Sequence, residues 1–172
     1  MRRGFVQVYT GDGKGKTTAA VGLAVRAAGH GLNSYIGQFM KGQPYGEVAA
    51  LREHRNITIE QFGSAHCIRR EEVTEEDHSR AHTGLKKTRE AMLSGSYEVV
   101  VLDEINVAIS FGLVAEDDVL DFLACRPANV EIVLTGRKAT ERLIREADLV
   151  TEFKQVKHYY EKGVLARDGI EC

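Results

Sequence analysis

Along this chain, short runs of β-branched and aliphatic residues alternate with longer stretches in which apolar positions return every third or fourth residue. The first pattern suits strands and the second amphipathic helices, and their alternation predicts a mostly parallel six-stranded sheet with helices on both faces. The strands read as Phe5–Tyr9, Ser34–Gln38, Ile57–Phe62, Val99–Leu102, Val130–Leu134 and Leu149–Val156. Between them, helices are expected over Thr17–Ala28, Glu47–His54, Glu75–Leu93, Glu104–Phe111, Glu116–Cys125 and Thr140–Glu146. In the first helix Ala20, Val21, Leu23, Ala24 and Ala27 share a side, and Gly29 and Gly31 supply stop signals. The unbroken run Val99-Val100-Val101-Leu102 suits a strand buried on both faces, hence a central one. No repeat, low-complexity tract or linker interrupts the series, so residues 1–172 read as a single α/β domain.

A chain of 172 residues can bury an adequate core without a metal or disulfide staple. Its 23 Lys and Arg against 25 Asp and Glu give a net charge of −2. That balance lacks the basic excess of a protein whose main partner is nucleic acid or an anionic membrane, so any phosphate binding has to be local. Cys67, Cys125 and Cys172 form no C-x-x-C pair and fit a reduced, cytoplasmic setting. No apolar run approaches the roughly 20 residues of a membrane helix. The start leads directly into a strand pattern, without the apolar stretch of a secretory signal, so neither export nor membrane insertion is expected.

Chemistry enters after the first strand, at Thr10-Gly11-Asp12-Gly13-Lys14-Gly15-Lys16-Thr17-Thr18. Alternating glycines permit backbone angles closed to other residues, so successive N–H groups can turn inward and form an anion nest at the positive end of a helix. Lys16 adds a point charge toward the outer phosphates, and the Thr17 hydroxyl can ligate Mg²⁺. Against the pattern G-x-x-x-x-G-K-[ST], Thr10 replaces the first Gly and Lys14 brings a second cation. The strand Val99–Leu102 runs into Asp103-Glu104. A carboxylate at the end of a buried strand beside the first one would face metal and phosphates, which makes Asp103 the metal candidate. Glu104 can orient water, hold Mg²⁺ or a substrate, or simply be an acid in the first turn of a helix. Arg137, at the carboxyl edge of the sheet, is a candidate phosphate contact.

Other constellations are weaker. The polar stretch Ile68–His82 reads as a solvated loop and helix start. His78 and His82 stand four apart but lack the Glu of a metalloprotease motif, so exposed histidines are expected. His66 and Cys67 are adjacent, and neighbours on an extended chain point to opposite faces.

The segments Tyr9–Ala20, Gln38-Phe39-Met40-Lys41-Gly42 with Gly46-Glu47, Val101–Glu104, Leu134-Thr135-Gly136-Arg137, Ala147–Glu152, Lys157-His158 and Gly169-Ile170-Glu171 occur in an order that resembles the ATP:corrinoid adenosyltransferases of the cobalamin-biosynthesis type. The resemblance spans nearly the whole chain. It implies a RecA-like phosphate-loop fold, ATP as cosubstrate, Mg²⁺, a reduced corrinoid as substrate, a reductase or flavoprotein electron donor, and a homodimer. It also implies transfer of the 5′-deoxyadenosyl group to Co(I), with ATP reversed in the loop so that ribose C5′ and not the γ-phosphorus is attacked. Thr10, Gly11, Asp12, Gly13, Lys14, Gly15, Lys16, Thr17, Thr18 and Arg137 would then bind ATP. Lys16 and Glu104 would be catalytic, Thr17, Asp103 and Glu104 would face the metal, and Gln38, Lys41 and Glu47 would face the corrinoid. Many relatives carry a Phe and a Trp in the stretch matching Ser64–Arg70. Here it reads Ser64-Ala65-His66-Cys67-Ile68-Arg69-Arg70, which leaves displacement of the corrinoid's lower ligand to Ile68 or another segment, or implies a different preferred corrinoid. Two other readings stay open on the residues alone: a phosphate-loop ATPase or kinase, and a non-catalytic nucleotide or corrinoid carrier.

Overall fold

The structure is a computed structural model that describes residues 3–171; Met1, Arg2 and Cys172 lie outside the described residues. Six strands, β1 (Val6–Thr10), β2 (Ser34–Phe39), β3 (Ile57–Phe62), β4 (Val99–Asp103), β5 (Glu131–Thr135) and β6 (Leu149–Glu152), form one sheet. Its order is β3-β2-β4-β5-β1-β6, and every neighbouring pair is parallel. The expectation of a mostly parallel sheet is thus exceeded, and the aliphatic run of β4 is central as its composition requires. Helices α1 (Lys16–Ala28), α2 (Gly46–Leu51), α3 (Glu75–Leu93), α4 (Ile105–Ser110), α5 (Glu116–Ala124) and α6 (Glu141–Glu146) fill the connections.

The period-2 alternation of the strands divides the core in two. Val8, Val100, Leu102, Ile132 and Leu134 face a layer that includes Leu85 and Met92 of α3, Val119 and Phe122 of α5 and Leu143 of α6. Val99, Val101 and Val133 point the other way, onto Ala20, Ala24 and Ala27 of α1 and Leu51 of α2. Small alanines on α1 bring that helix close to the sheet, which fixes where its N-terminus meets the end of β1. Helix α3 begins in a capping box, with the Thr74 side chain accepting from the Asp77 N–H and the Thr74 N–H donating to the Asp77 carboxylate.

Several expected ends move for identifiable reasons. Instead of running to His54, α2 stops at Leu51, whose carbonyl accepts the His54 N–H in the turn that feeds β3. The last strand ends at Glu152, well short of Val156. The Phe153 N–H donates one more bond to the Thr10 carbonyl, then the Phe153 carbonyl accepts the Gly13 N–H at 2.7 Å, so the chain leaves the sheet and closes against the loop after β1. Val156 is left 88% exposed.

The carboxylate strand differs from expectation in position. Asp103 was placed on a strand beside β1, yet β5 lies between β1 and β4. The gap is bridged by a residue of β5, Thr135, which is described below.

Candidate active site

Where β1 ends, residues 11–15 turn the chain into α1. Gly11 and Gly15 have φ of 95° and 116°, in the left-handed region that a glycine tolerates. Gly13 does not, which corrects the expectation that all three glycines serve backbone angles. Its reason is proximity, because a Cβ there would lie 2.8 Å from the Phe153 carbonyl oxygen. The resulting loop is concave, and among the described residues the N–H groups of residues 14–18 donate to no protein acceptor. Unpaired amides at the positive end of a 13-residue helix suit a multiply charged anion.

The Lys16 side chain folds back into this loop, with Nζ 2.7 Å from the carbonyls of both Gly11 and Gly13. Burial pulls the ammonium below the ordinary lysine value, and the Glu104 carboxylate pulls it the other way.

Behind the loop lies a buried polar network centred on Asp103, which is 0% exposed. One oxygen accepts from Thr17 Oγ1 at 2.9 Å and from Thr135 Oγ1 at 2.6 Å. The other accepts from Lys41 Nζ at 2.8 Å and Gln38 Nε2 at 3.1 Å. Gln38 also donates to Glu47 at 3.0 Å and accepts from Gln61 at 3.1 Å. Each donor comes from a different part of the fold: α1, β5, the loop after β2, and β2. Thr135 carries the bridge across β5 and also accepts the Glu104 N–H at 2.9 Å.

The Thr17 hydroxyl spends its proton on Asp103 and so keeps a lone pair toward the cavity. That lone pair accepts from Lys41 Nζ at 3.1 Å. An all-oxygen donor set with a cation already resting on it fits Mg²⁺, which takes few protein ligands and fills its shell with water and phosphate. Among the described residues no group of three or more His, Cys, Asp and Glu could hold a metal, and His78 is half-buried while His82 is exposed.

Glu104 is not in the first turn of a helix. It adopts φ 62°, ψ 17° at the N-cap of α4 and makes no side-chain cap bond, so its carboxylate is aimed at the cavity. A non-glycine residue in that region carries backbone strain, which clusters at functional sites. Burial raises its pKa, Asp103 raises it further, and Lys41 and Lys16 oppose both. The folded state therefore binds this proton more tightly than the unfolded chain, and stability falls as pH rises from the ordinary glutamate value of 4.5 through the folded pKa. Glu104→Gln is expected to stabilise the ligand-free protein at neutral pH by about 1 kcal/mol, a rise of about 2–4 °C in Tm, with little gain at pH 4. Thermal unfolding of both proteins at the two pH values checks this; an equal or lower Tm at neutral pH refutes it.

These elements enclose a cavity of about 420 Å³ lined by the loop residues Asp12 to Thr18 together with Lys41, Tyr45, Glu47, Glu104 and Arg137. Of the residues expected from sequence, Thr10, Gly11, Gln38 and Asp103 do not line it. Thr10 is occupied in accepting the Ala139 N–H at 3.2 Å. Arg137 is exposed at the mouth, 4.0 Å from Asp12. Lys14 lies against the C-terminal segment, with Nζ 2.8 Å from Glu171 Oε1 and 2.6 Å from the Ile170 carbonyl. Val21, His158 and Glu171 complete the lining.

Sequence reasoning gave Thr135, Phe153, Tyr45 and Gln61 no role. Thr135 follows a buried aliphatic strand just as Asp103 does, and that was the available signal; nothing local marks Phe153, whose backbone does the work. In the stretch expected to serve the corrinoid, Ile68 packs against the core and Ser64 is buried, donating to Asp77 at 2.5 Å. Ala65, His66 and Cys67 are exposed.

Residues 2–172 match the family described as ATP:corrinoid adenosyltransferase BtuR/CobO/CobP. A corrinoid adenosyltransferase of Pseudomonas aeruginosa is 34% identical over 171 residues, covering 98% of this chain and 84% of that protein. The corrinoid adenosyltransferase CobA of Salmonella typhimurium is 36% identical over 98% of this chain and 86% of its own length. A third, from Escherichia coli, is 32% identical with the same coverage. A sheet whose loop, buried carboxylate and cavity suit a nucleotide triphosphate, matched end to end by these proteins, places the chain in the ATP:corrinoid adenosyltransferase family.

Proposed function

We propose that the cradle of residues 11–18 holds the triphosphate of ATP as a leaving group, with ribose C5′ presented toward the cavity for attack by the Co(I) of a reduced corrinoid. The observation that carries this is the row of unpaired amides at residues 14–18, facing a cavity that also bears Lys16, Lys41 and Arg137. Such an array is suited to charge that develops on a departing polyphosphate, because its dipoles are oriented before the reaction begins. The cobalt lone pair forms the Co–C5′ bond, the C5′–O5′ bond breaks, and its electron pair leaves with triphosphate. No proton is moved at the reacting carbon, so no general base is required. Bound Mg²⁺ would offset charge on the leaving group. Thr17, Asp103 and Glu104 are the residues to hold it, with Thr17 oriented by its bond to Asp103, while Lys16 and the loop amides grip the phosphates. Lys41 and Glu47 line the cavity toward the second substrate, with Gln38 bonded to Glu47 and Asp103 behind them.

This reading includes a reductase or flavoprotein that supplies the electron, a homodimeric protein and a cytoplasmic site of action. Its test is to mix the protein with ATP, Mg²⁺ and a corrinoid reduced to Co(I). A light-sensitive cobalt–carbon product and an equal amount of inorganic triphosphate are expected. ADP and phosphate formed without regard to corrinoid would instead identify an ATPase and overturn the reading.

A further inference from the structure

We propose that Lys41 is a resident counter-ion which occupies the position of Mg²⁺ between Thr17 and Asp103 in the metal-free site, and that metal binding displaces it. The proposal rests on the assignment of Thr17 and Asp103 as the metal locus. Its geometric basis is specific. Lys41 Nζ is 3.1 Å from Thr17 Oγ1 and 2.8 Å from Asp103 Oδ2. Because the Thr17 hydroxyl already donates to Asp103, the ammonium takes up the same Thr17 lone pair that a cation would need. Ammonium and metal cannot both have it.

The lysine is delivered there by backbone, not by chance side-chain drift. Met40, just before it, is a non-glycine residue at φ 58°. Gly42, just after it, packs so tightly that a Cβ would lie 2.4 Å from the Gly63 carbonyl oxygen, and a Cβ on Gly63 would lie 2.2 Å from the Lys41 nitrogen. Strained and close-packed backbone of this kind persists where the surroundings over-determine it. The side chain is 15% exposed. A second resting place is at hand, since Nζ is 3.9 Å from Glu47 Oε1 and 5.3 Å from the centroid of the Tyr45 ring. Displacement would therefore move the ammonium toward the cavity without leaving it unpaired. In the metal-free state Lys41 acts as a positioning residue that keeps Asp103 and Thr17 from drifting apart.

The test uses Mn²⁺ alone as the probe, titrated into the ligand-free protein and followed by the electron paramagnetic resonance of free Mn²⁺. In Lys41→Met the metal no longer has to displace a tethered cation, so its dissociation constant is expected to fall about tenfold. Arg137→Met removes an equal charge from the same cavity but touches neither Thr17 nor Asp103, and a change below about twofold is expected from screened charge alone. Equal tightening in both variants, or weaker binding in Lys41→Met, overturns displacement. Thr17→Ala separates the two assignments: Mn²⁺ binding that survives it refutes the metal locus itself. Binding lost in Thr17→Ala but unchanged in Lys41→Met refutes only the role of Lys41. Should Lys41→Met not fold, the unaltered protein gives the answer by amine acylation read at peptide level. Saturating Mg²⁺ is expected to raise labelling of Lys41 severalfold while exposed Lys138 stays constant, and no rise at Lys41 overturns the proposal.

Discussion

Lys16→Ala is expected to lower the affinity for ATP by about 3 kcal/mol, more than a hundredfold, and to abolish measurable adenosyl transfer. The size follows from placement. The ammonium is buried, its hydrogen bonds are charge-assisted, and its two partners in the ligand-free loop are carbonyls that gain nothing from its removal. Truncation takes away a phosphate contact and leaves the carbonyls of Gly11 and Gly13 facing an anion. Lys16→Arg is not expected to rescue, because a planar guanidinium offers a rigid fork where the lysine supplies a compact point charge bonded to both carbonyls. Calorimetric titration with MgATP is the direct measurement. Wild-type affinity in Lys16→Ala would remove the loop from the binding site.

Asp103→Ala is expected to have the largest effect on stability, a loss of about 3–5 kcal/mol. Four donors converge on this carboxylate: Thr17, Thr135, Lys41 and Gln38. Its removal leaves a charged lysine in a buried site without its acceptor, the costly half of a broken ion pair. In a domain of this size that corresponds to a fall of roughly 6–20 °C in Tm. Double replacement, Asp103→Ala with Lys41→Met, is expected to recover part of the loss, since no unpaired charge then remains. The double variant is also expected to stay inactive, because Thr17 has lost its orienting partner. A Tm within a degree of wild type in Asp103→Ala would show that the network contributes nothing to the fold.

Much of the architecture was legible in local pattern. The run Val99–Leu102 announced a strand buried on both faces, and it is the third strand of six, covered on each side. The range expected for α3, Glu75–Leu93, is the one observed. The phosphate loop was legible because Gly-Lys-Thr at a strand-to-helix junction has few other uses. Less accessible were features created by contacts distant in sequence. The early exit of β6 depends on Phe153 meeting Thr10 and Gly13, more than a hundred residues away along the chain. The need for glycine at position 13 has the same origin. Glu104, a possible first-turn acid by sequence, takes a left-handed conformation instead, with its N–H held by Thr135 on the neighbouring strand.

By itself the amino-acid order determined which segments become strands and helices, the anion-binding loop between the first of each, and the carboxylate closing the central strand, because each follows from side-chain spacing over a few residues. Only the folded chain decided which strands are neighbours. That order inserts β5 between loop and carboxylate, makes Thr135 their link, and brings Lys41 from the end of β2 onto Thr17 and Asp103. Local propensity cannot choose among the ways of ordering parallel strands, since all of them satisfy the same backbone hydrogen bonds and the same alternation of faces. The choice is made by the packing of whole helices on both sides of the sheet, and the contents of the site follow from it.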